Sequence, residues 1–318
     1  MSASFETKSA LDGFPSIQKL ASSYPSLLSR EWDGALPVGI FMTLHAIRVA
    51  YEVRKGMQMS GRQGLLQELF AMLTFSFGGA ILTSLALGRP QAWLENNTAV
   101  PVYSLAYILM SKMPGDLLYW ALRQSSPVSD VFLASVDGLI RGFGVTAAGV
   151  DMVRKGMAGQ PISDSLVAWL FVGTVLGSGG GIIDDFLQIS RSVWGFRTPN
   201  MLRSGFSLDV KLSFSATVGY IALTHAWSFS ERAPDFPLST LLDMLLHAVP
   251  RISDQEAHLV CGLLCSAVLG TAAHDQARKF AAAERSALLA VRAKKTDELL
   301  PDDDEEDSES DSDDDIED

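Results

Sequence analysis

The sequence predicts an all-α integral membrane protein with about seven transmembrane helices, an inverted three-helix repeat plus one extra helix. Three observations predict it. The 318 residues are 47% hydrophobic and only 19% charged, with mean hydropathy +0.18, a balance that leans toward lipid. Seven apolar stretches approach the ~20 residues a bilayer requires, at about 35–53, 65–87, 99–121, 131–150, 165–188, 208–228 and 257–273. A five-residue run also recurs 100 residues later, Val53-Arg54-Lys55-Gly56-Met57 and Val153-Arg154-Lys155-Gly156-Met157, and internal repeats constrain architecture strongly.

The net charge of −12 resides in the tail. Residues 302–318 hold 13 acidic side chains and no base, leaving 25 basic and 24 acidic residues elsewhere. A near-neutral body gives no sign of a nucleic-acid surface. Residues 1–34 read as a polar N-terminal segment; Met1–Asp33 lacks a basic start followed by an apolar core, so no cleaved signal is expected. The two repeats then occupy 35–121 and 122–229. Residues 230–256 form a loop with a short helix, Pro237 to Val249, too short to span. The seventh helix occupies 257–273. Residues 274–318 combine a basic helical stretch, Ala282 to Lys295, with a disordered acidic tail that either stays solvated, binds Ca²⁺ weakly or is phosphorylated at Ser308, Ser310 and Ser312. Cys261 and Cys265 share one helix face without bridging.

Each copy of the recurring run precedes a long apolar helix interrupted by glycine: Gly78-Gly79 in the first, Gly177-Ser178-Gly179-Gly180-Gly181 in the second. Three spans per copy is an odd number, so tandem copies enter the membrane from opposite sides and form an inverted repeat. Glycine costs ~1 kcal/mol per residue in a helix. It serves either to kink helices and open a path through them, or to let helix backbones approach closely. The first alternative places Gly78–Gly79 and Gly179–Gly180 across a pore near mid-membrane.

Several spans carry charge: His45 and Arg48, Lys112 and Asp116, Asp137 and Arg141, Asp209 and Lys211. Such residues face a protein interior or water, or snorkel from a helix end. Asp116, Arg141, Asp137 and Lys211 are the candidate polar intramembrane residues. Pro114-Gly115-Asp116 breaks the third helix. The histidines lack metal-ligand spacing, and no nucleophile elbow, phosphate loop or catalytic dyad is present. Neither a metal, a cofactor nor an enzymatic activity is expected. Lys and Arg in the loops favour a lumenal N-terminus and a cytosolic C-terminus; Lys8, Lys19 and Arg30 oppose that bias. Asn96-Asn97-Thr98 is a glycosylation sequon on the lumenal side of this topology.

From about Phe41 to Leu223 the residues resemble the trimeric intracellular cation (TRIC) channel family. The resemblance rests on Ala71-Met72-Leu73 leading to Phe77-Gly78, the turn Leu87-Gly88-Arg89-Pro90, and Asn96-Asn97. It continues in Pro114-Gly115-Asp116-Leu117-Leu118-Tyr119, and in Gly177-Ser178-Gly179 followed by Phe186, Gln188, Arg191 and Val193-Trp194. It implies seven helices, an inverted repeat and a homotrimer with one pore per protomer. It further implies a potassium-permeable monovalent-cation channel in the endoplasmic reticulum or another intracellular membrane, supplying counter-ions during calcium release. A phosphoinositide lipid is implied as a ligand, but the family's helix-4 lysine is Val136 here and Arg141 lies about one place out of register. A secondary transporter of a small solute and a non-conducting membrane scaffold remain the alternatives.

Overall fold

The computed structural model describes residues 9–32, 36–60, 64–232 and 238–297. The acidic tail, Lys8, Arg62 and Pro237 lie outside them. Contacts divide the chain into a unit ending at His274 and a second unit from Asp275.

Among the described residues, the regular structure of the first unit is helical apart from a short antiparallel ladder of Glu31–Trp32 on Leu36–Gly39. Its main helices are α1 (Pro15–Leu28), α2 (Ile40–Ser60), α3 (Leu65–Leu87), α4 (Ala99–Lys112), α5 (Leu117–Gln124), α6 (Val128–Arg154), α7 (Leu166–Leu187), α8 (Leu208–Thr224), α9 (Ser239–His247) and the start of α10 (Asp254–Asp297). Local chemistry sets their ends. Gly88 adopts φ +60°, closing α3 with its N–H on the Leu85 carbonyl, as expected of glycine after a helix. Ser165 and Ser207 cap α7 and α8, accepting from the N–H of Ala168 and Val210, the role of an N-cap hydroxyl.

Among the described residues, four helices are long and apolar enough to cross a membrane: Leu65–Leu87, Val128–Arg154, Leu166–Leu187 and Asp254–Ala287. Several expected spans differ in extent, and the sixth, expected over 208–228, ends at Thr224. The first starts at Ile40 rather than 35, because residues 36–39 belong to the ladder. The third is split: α4 ends at Lys112, and Gly115 and Asp116 take φ +67° and +52° before α5 begins. Proline cannot donate a helical hydrogen bond, and two left-handed residues cannot continue a right-handed helix. The fourth is longer than expected and widens into a π-helical turn over Gly144–Asp151. The seventh, expected to stop at 273, belongs to one 44-residue helix that includes the basic stretch. Residues 15–28, within the expected polar N-terminal segment, form α1, with Ala21 and Tyr24 buried.

The two larger of four apolar clusters among the described residues of the first unit join its main helices. One joins Tyr51, Met72, Tyr107 and Met110 of α2, α3 and α4. The other joins Val153, Trp169, Tyr220 and Cys261 of α6, α7, α8 and α10.

Candidate functional site

The glycine motifs lie where α3 crosses α7. Both helices run through them without interruption. A Cβ on Gly78 would stand 2.7 Å from Gly180 Cα, and one on Gly179 2.5 Å from Gly79 Cα. One on Gly79 would strike the Leu176 carbonyl, and one on Gly180 the Phe75 carbonyl. The two pairs therefore meet backbone to backbone, with no gap between them. Their helix cost is offset by the dense contact that only glycine permits.

The rest of the run behaves differently. Gly177 packs under Ser213 and Val145, and Ser178 is buried with its hydroxyl donating to the Thr174 carbonyl at 2.7 Å. Gly181 is exposed, and a Cβ there would meet nothing within 4 Å. It faces a cavity of about 510 Å³ beside the crossing, bounded by α2, α3, α6, α7 and α8.

That cavity is charged. Its lining includes His45, Arg48 and Glu52 from α2, Asp137 and Arg141 from α6, and Asp209 from α8. Arg141 is the centre. Its guanidinium donates to Asp209 Oδ1 at 2.5 Å, to the Gly177 carbonyl at 2.8 Å and to Asp137 Oδ2 at 3.1 Å. One side chain thus ties α6 to both α7 and α8. Glycine leaves the Gly177 carbonyl uncovered, so the guanidinium can reach it. On the other side of Asp137, His45 Nε2 lies 3.4 Å from Oδ1, and His45 Nδ1 lies 2.5 Å from the Tyr103 hydroxyl. Arg48 pairs with Glu52 one turn along α2. A buried charge is tolerated only when paired, and here Asp137 is held between Arg141 and His45.

The structure therefore brings Asp137 and Arg141 together with Gly79 and the Gly177–Gly181 run, and leaves the other two candidates elsewhere. Asp116 pairs with Arg54 at 3.2 Å and lines a separate cavity with Glu68 and Lys112. Lys211 is exposed on α8. Sequence reasoning does not assign Glu52 or Tyr103 to the site, and it identifies His45, Arg48 and Asp209 only as charges at membrane depth. One signal is present: His45, Arg48 and Glu52 recur at helical spacing on a single face of α2.

A second polar cluster mirrors the recurring run. Arg154 pairs with Asp254 at 2.7 Å and with Asp151 at 3.0 Å, and Lys155 reaches both carboxylates at 2.6 Å. Asp254 opens α10, where a carboxylate is favoured. His258 on the same helix donates to or accepts from the Thr146 hydroxyl at 2.8 Å, inside the π-helical turn.

Comparison with known proteins fits this frame. The sequence model of the TRIC channel family matches residues 54–233, more than half of the chain. A trimeric intracellular cation channel type B from Danio rerio is 31% identical over 144 residues, 45% of this chain and 47% of that protein. The type B-A channel of Xenopus laevis is 28% identical over 145 residues, 45% and 48%. The matched segment thus spans about half the length of these curated relatives. A Ca²⁺-bound trimeric intracellular cation channel from C. elegans superposes with a TM-score of 0.52 at 16% identity, covering 83% of this chain and 98% of that one; at that identity the likeness concerns the fold. On the extent of the family match, the chain belongs to the TRIC channel family.

Proposed function

We propose that this chain forms a potassium-permeable pathway for monovalent cations in an intracellular membrane such as the endoplasmic reticulum, supplying counter-ion flux when calcium leaves the same compartment. The observation that carries the reading is the ion-paired cavity beside the α3–α7 crossing. Polar walls at membrane depth lower the barrier for an ion that lipid excludes. No bond is made or broken; Glu52, Asp137 and Asp209 attract the cation, and Arg141 holds the path shut while it bridges α6, α7 and α8. The relatives' names support a cation as the permeant species and a trimer as the assembly. The duplicated run, with an apolar cluster beside each of its copies, supports an inverted repeat with seven spans. The loop charges support a lumenal N-terminus and cytosolic C-terminus.

Reconstitution into planar bilayers tests the reading. Unitary cation current steps are expected. The closed crossing also suits a secondary transporter, which would give slow saturable flux without steps; a scaffold would give neither. Phosphoinositide dependence is proposed to be weak. Val136 is buried and uncharged, and Arg141 is already committed to Asp137, Asp209 and Gly177. The forfeited contact between one cation and a phosphate is worth ~1.5–3 kcal/mol. Removing phosphoinositide from the bilayer should change open probability by less than about twofold; abolished current would show that another cation takes the lysine's place.

A further inference from the structure

We infer that α1 is a strap that sets the position of Arg141, and that Tyr24 is the positioning residue through which it acts. The inference rests on the channel reading above. Helix α6 carries three stripes, each an i, i+4 pair. Asp137 and Arg141 face the cavity. Gly138 and Gly142 face α10, where a Cβ on Gly142 would stand 2.5 Å from Gly262 Cα. Leu139 and Phe143 face α1.

The third stripe is where α1 grips. Tyr24 is only 2% exposed, and its hydroxyl donates to the Leu139 carbonyl at 2.6 Å. Its ring meets Phe143 edge-on at 5.5 Å. Leu139 is two residues from both Asp137 and Arg141, about 200° round the helix, so Tyr24 pulls α6 from directly behind the cavity. The segment leading into α1 is tied as well. The Ser9 hydroxyl donates to Glu256 Oε2 at 2.5 Å, and the Ala10 N–H donates to the Arg251 carbonyl at 2.9 Å. The segment also lies outside residues 54–233, the part that the family's sequence model matches. The matched part builds most of the cavity, and α1 adds a restraint on one wall of it.

A strap predicts more than a packing helix does. If the Tyr24 hydrogen bond favours only the bridged position of Arg141, its loss shifts the shut-to-open ratio by about two- to tenfold, the worth of one such bond. The test is single-channel recording of the full chain in planar bilayers, with Tyr24→Phe, Arg141→Gln and the double variant. Tyr24→Phe should raise open probability by about two- to tenfold, with unitary conductance unchanged. On an Arg141→Gln background it should add nothing, because the bridge it controls is already gone. A merely structural Tyr24 would leave open probability unchanged, or change it by the same factor on both backgrounds; either result overturns the strap. Should Tyr24→Phe fail to assemble, Ser9→Ala loosens the segment leading into α1. The same rise in open probability supports the proposal and an unchanged value overturns it. Silence from wild type and Arg141→Gln alike would instead remove the channel reading, and the strap with it.

Discussion

The two halves of the chain share a sequence at one end of their first helices and differ in the middle. The first copy lies inside the last turns of α2 and the second runs off the end of α6, and in both the arginine is ion-paired: Arg54 to Asp116, Arg154 to Asp151 and Asp254. Both second helices carry the glycines that let α3 and α7 touch. The charges of the cavity come from what is not shared. His45, Arg48 and Glu52 of α2 correspond, 100 residues on, to Val145, Ala148 and Met152. Asp137 and Arg141 of α6 correspond to Pro37 and Phe41, 100 residues back. The duplicated residues make the frame, and each half contributes its own complementary charges to the path. Function sits where the copies have diverged.

The largest expected effect breaks the frame. Gly179→Leu drives four carbons into the backbone of Gly78 and Gly79, which cannot move as a side chain can. Overpacking costs ~1–3 kcal/mol where side chains can adjust, and more here. Little assembled protein should survive in detergent, whereas Gly181→Leu at the same helix should assemble normally. A stable, assembled Gly179→Leu channel would show that the crossing is looser than the structure has it.

Arg141→Gln breaks the path instead. It leaves Asp137 buried with His45 as its remaining partner. Breaking a fully buried pair costs ~3–5 kcal/mol; roughly 2–3 kcal/mol is expected here, because Asp209 is nearly half exposed and the cavity is open to water. Thermal unfolding should report that loss while bilayer recordings report more frequent opening. If opening does not change, Arg141 does not shut the path.

Gly181→Leu sharpens the division between the two roles of glycine. The position has free space around it and lines the cavity, so stability should stay within about 0.5 kcal/mol, the usual range at a site that touches nothing. The added side chain enters the cavity, and unitary current is expected to fall. Unaltered current would move the ion path away from the glycine run.

These positions also show what can be read without the fold. The positions of most apolar helices are legible from run length, and Gly88 marks the end of α3. The glycine run is legible as special, but its purpose is not. A pore and a close crossing both require the absence of a side chain, and only the neighbours of Gly179 and Gly181 separate them. The partnership of Arg141 with Asp209 and the Gly177 carbonyl joins three helices and leaves no periodic trace in any one of them. Helix α1 escapes notice because Pro15–Leu28 is mostly Ser, Pro and polar residues; its buried face amounts to Ala21 and Tyr24. The break at Pro114–Asp116 is visible, but not that Asp116 faces Arg54 rather than the cavity.

The smallest effect compares the two arginines of the repeated run directly. Arg54 is the more deeply placed, its side chain 8% exposed against 18% for Arg154. Arg54 holds Asp116 at the break between α4 and α5, and its guanidinium also lies 5.9 Å from the Tyr119 ring centre. Removing it leaves the carboxylate at a left-handed residue without that cation. Arg154 shares both its carboxylates with Lys155, so its removal leaves a cation in place. Arg54→Gln should therefore cost about 1–2 kcal/mol and Arg154→Gln about 0.5 kcal/mol, within the range between buried and exposed pairs. Thermal unfolding of both variants in the same detergent measures the difference. Adding Lys155→Gln to Arg154→Gln removes the second cation and should bring the loss up to that of Arg54→Gln. If the double variant is no worse than Arg154→Gln alone, Lys155 is not what protects the second copy, and the asymmetry between the halves has another source.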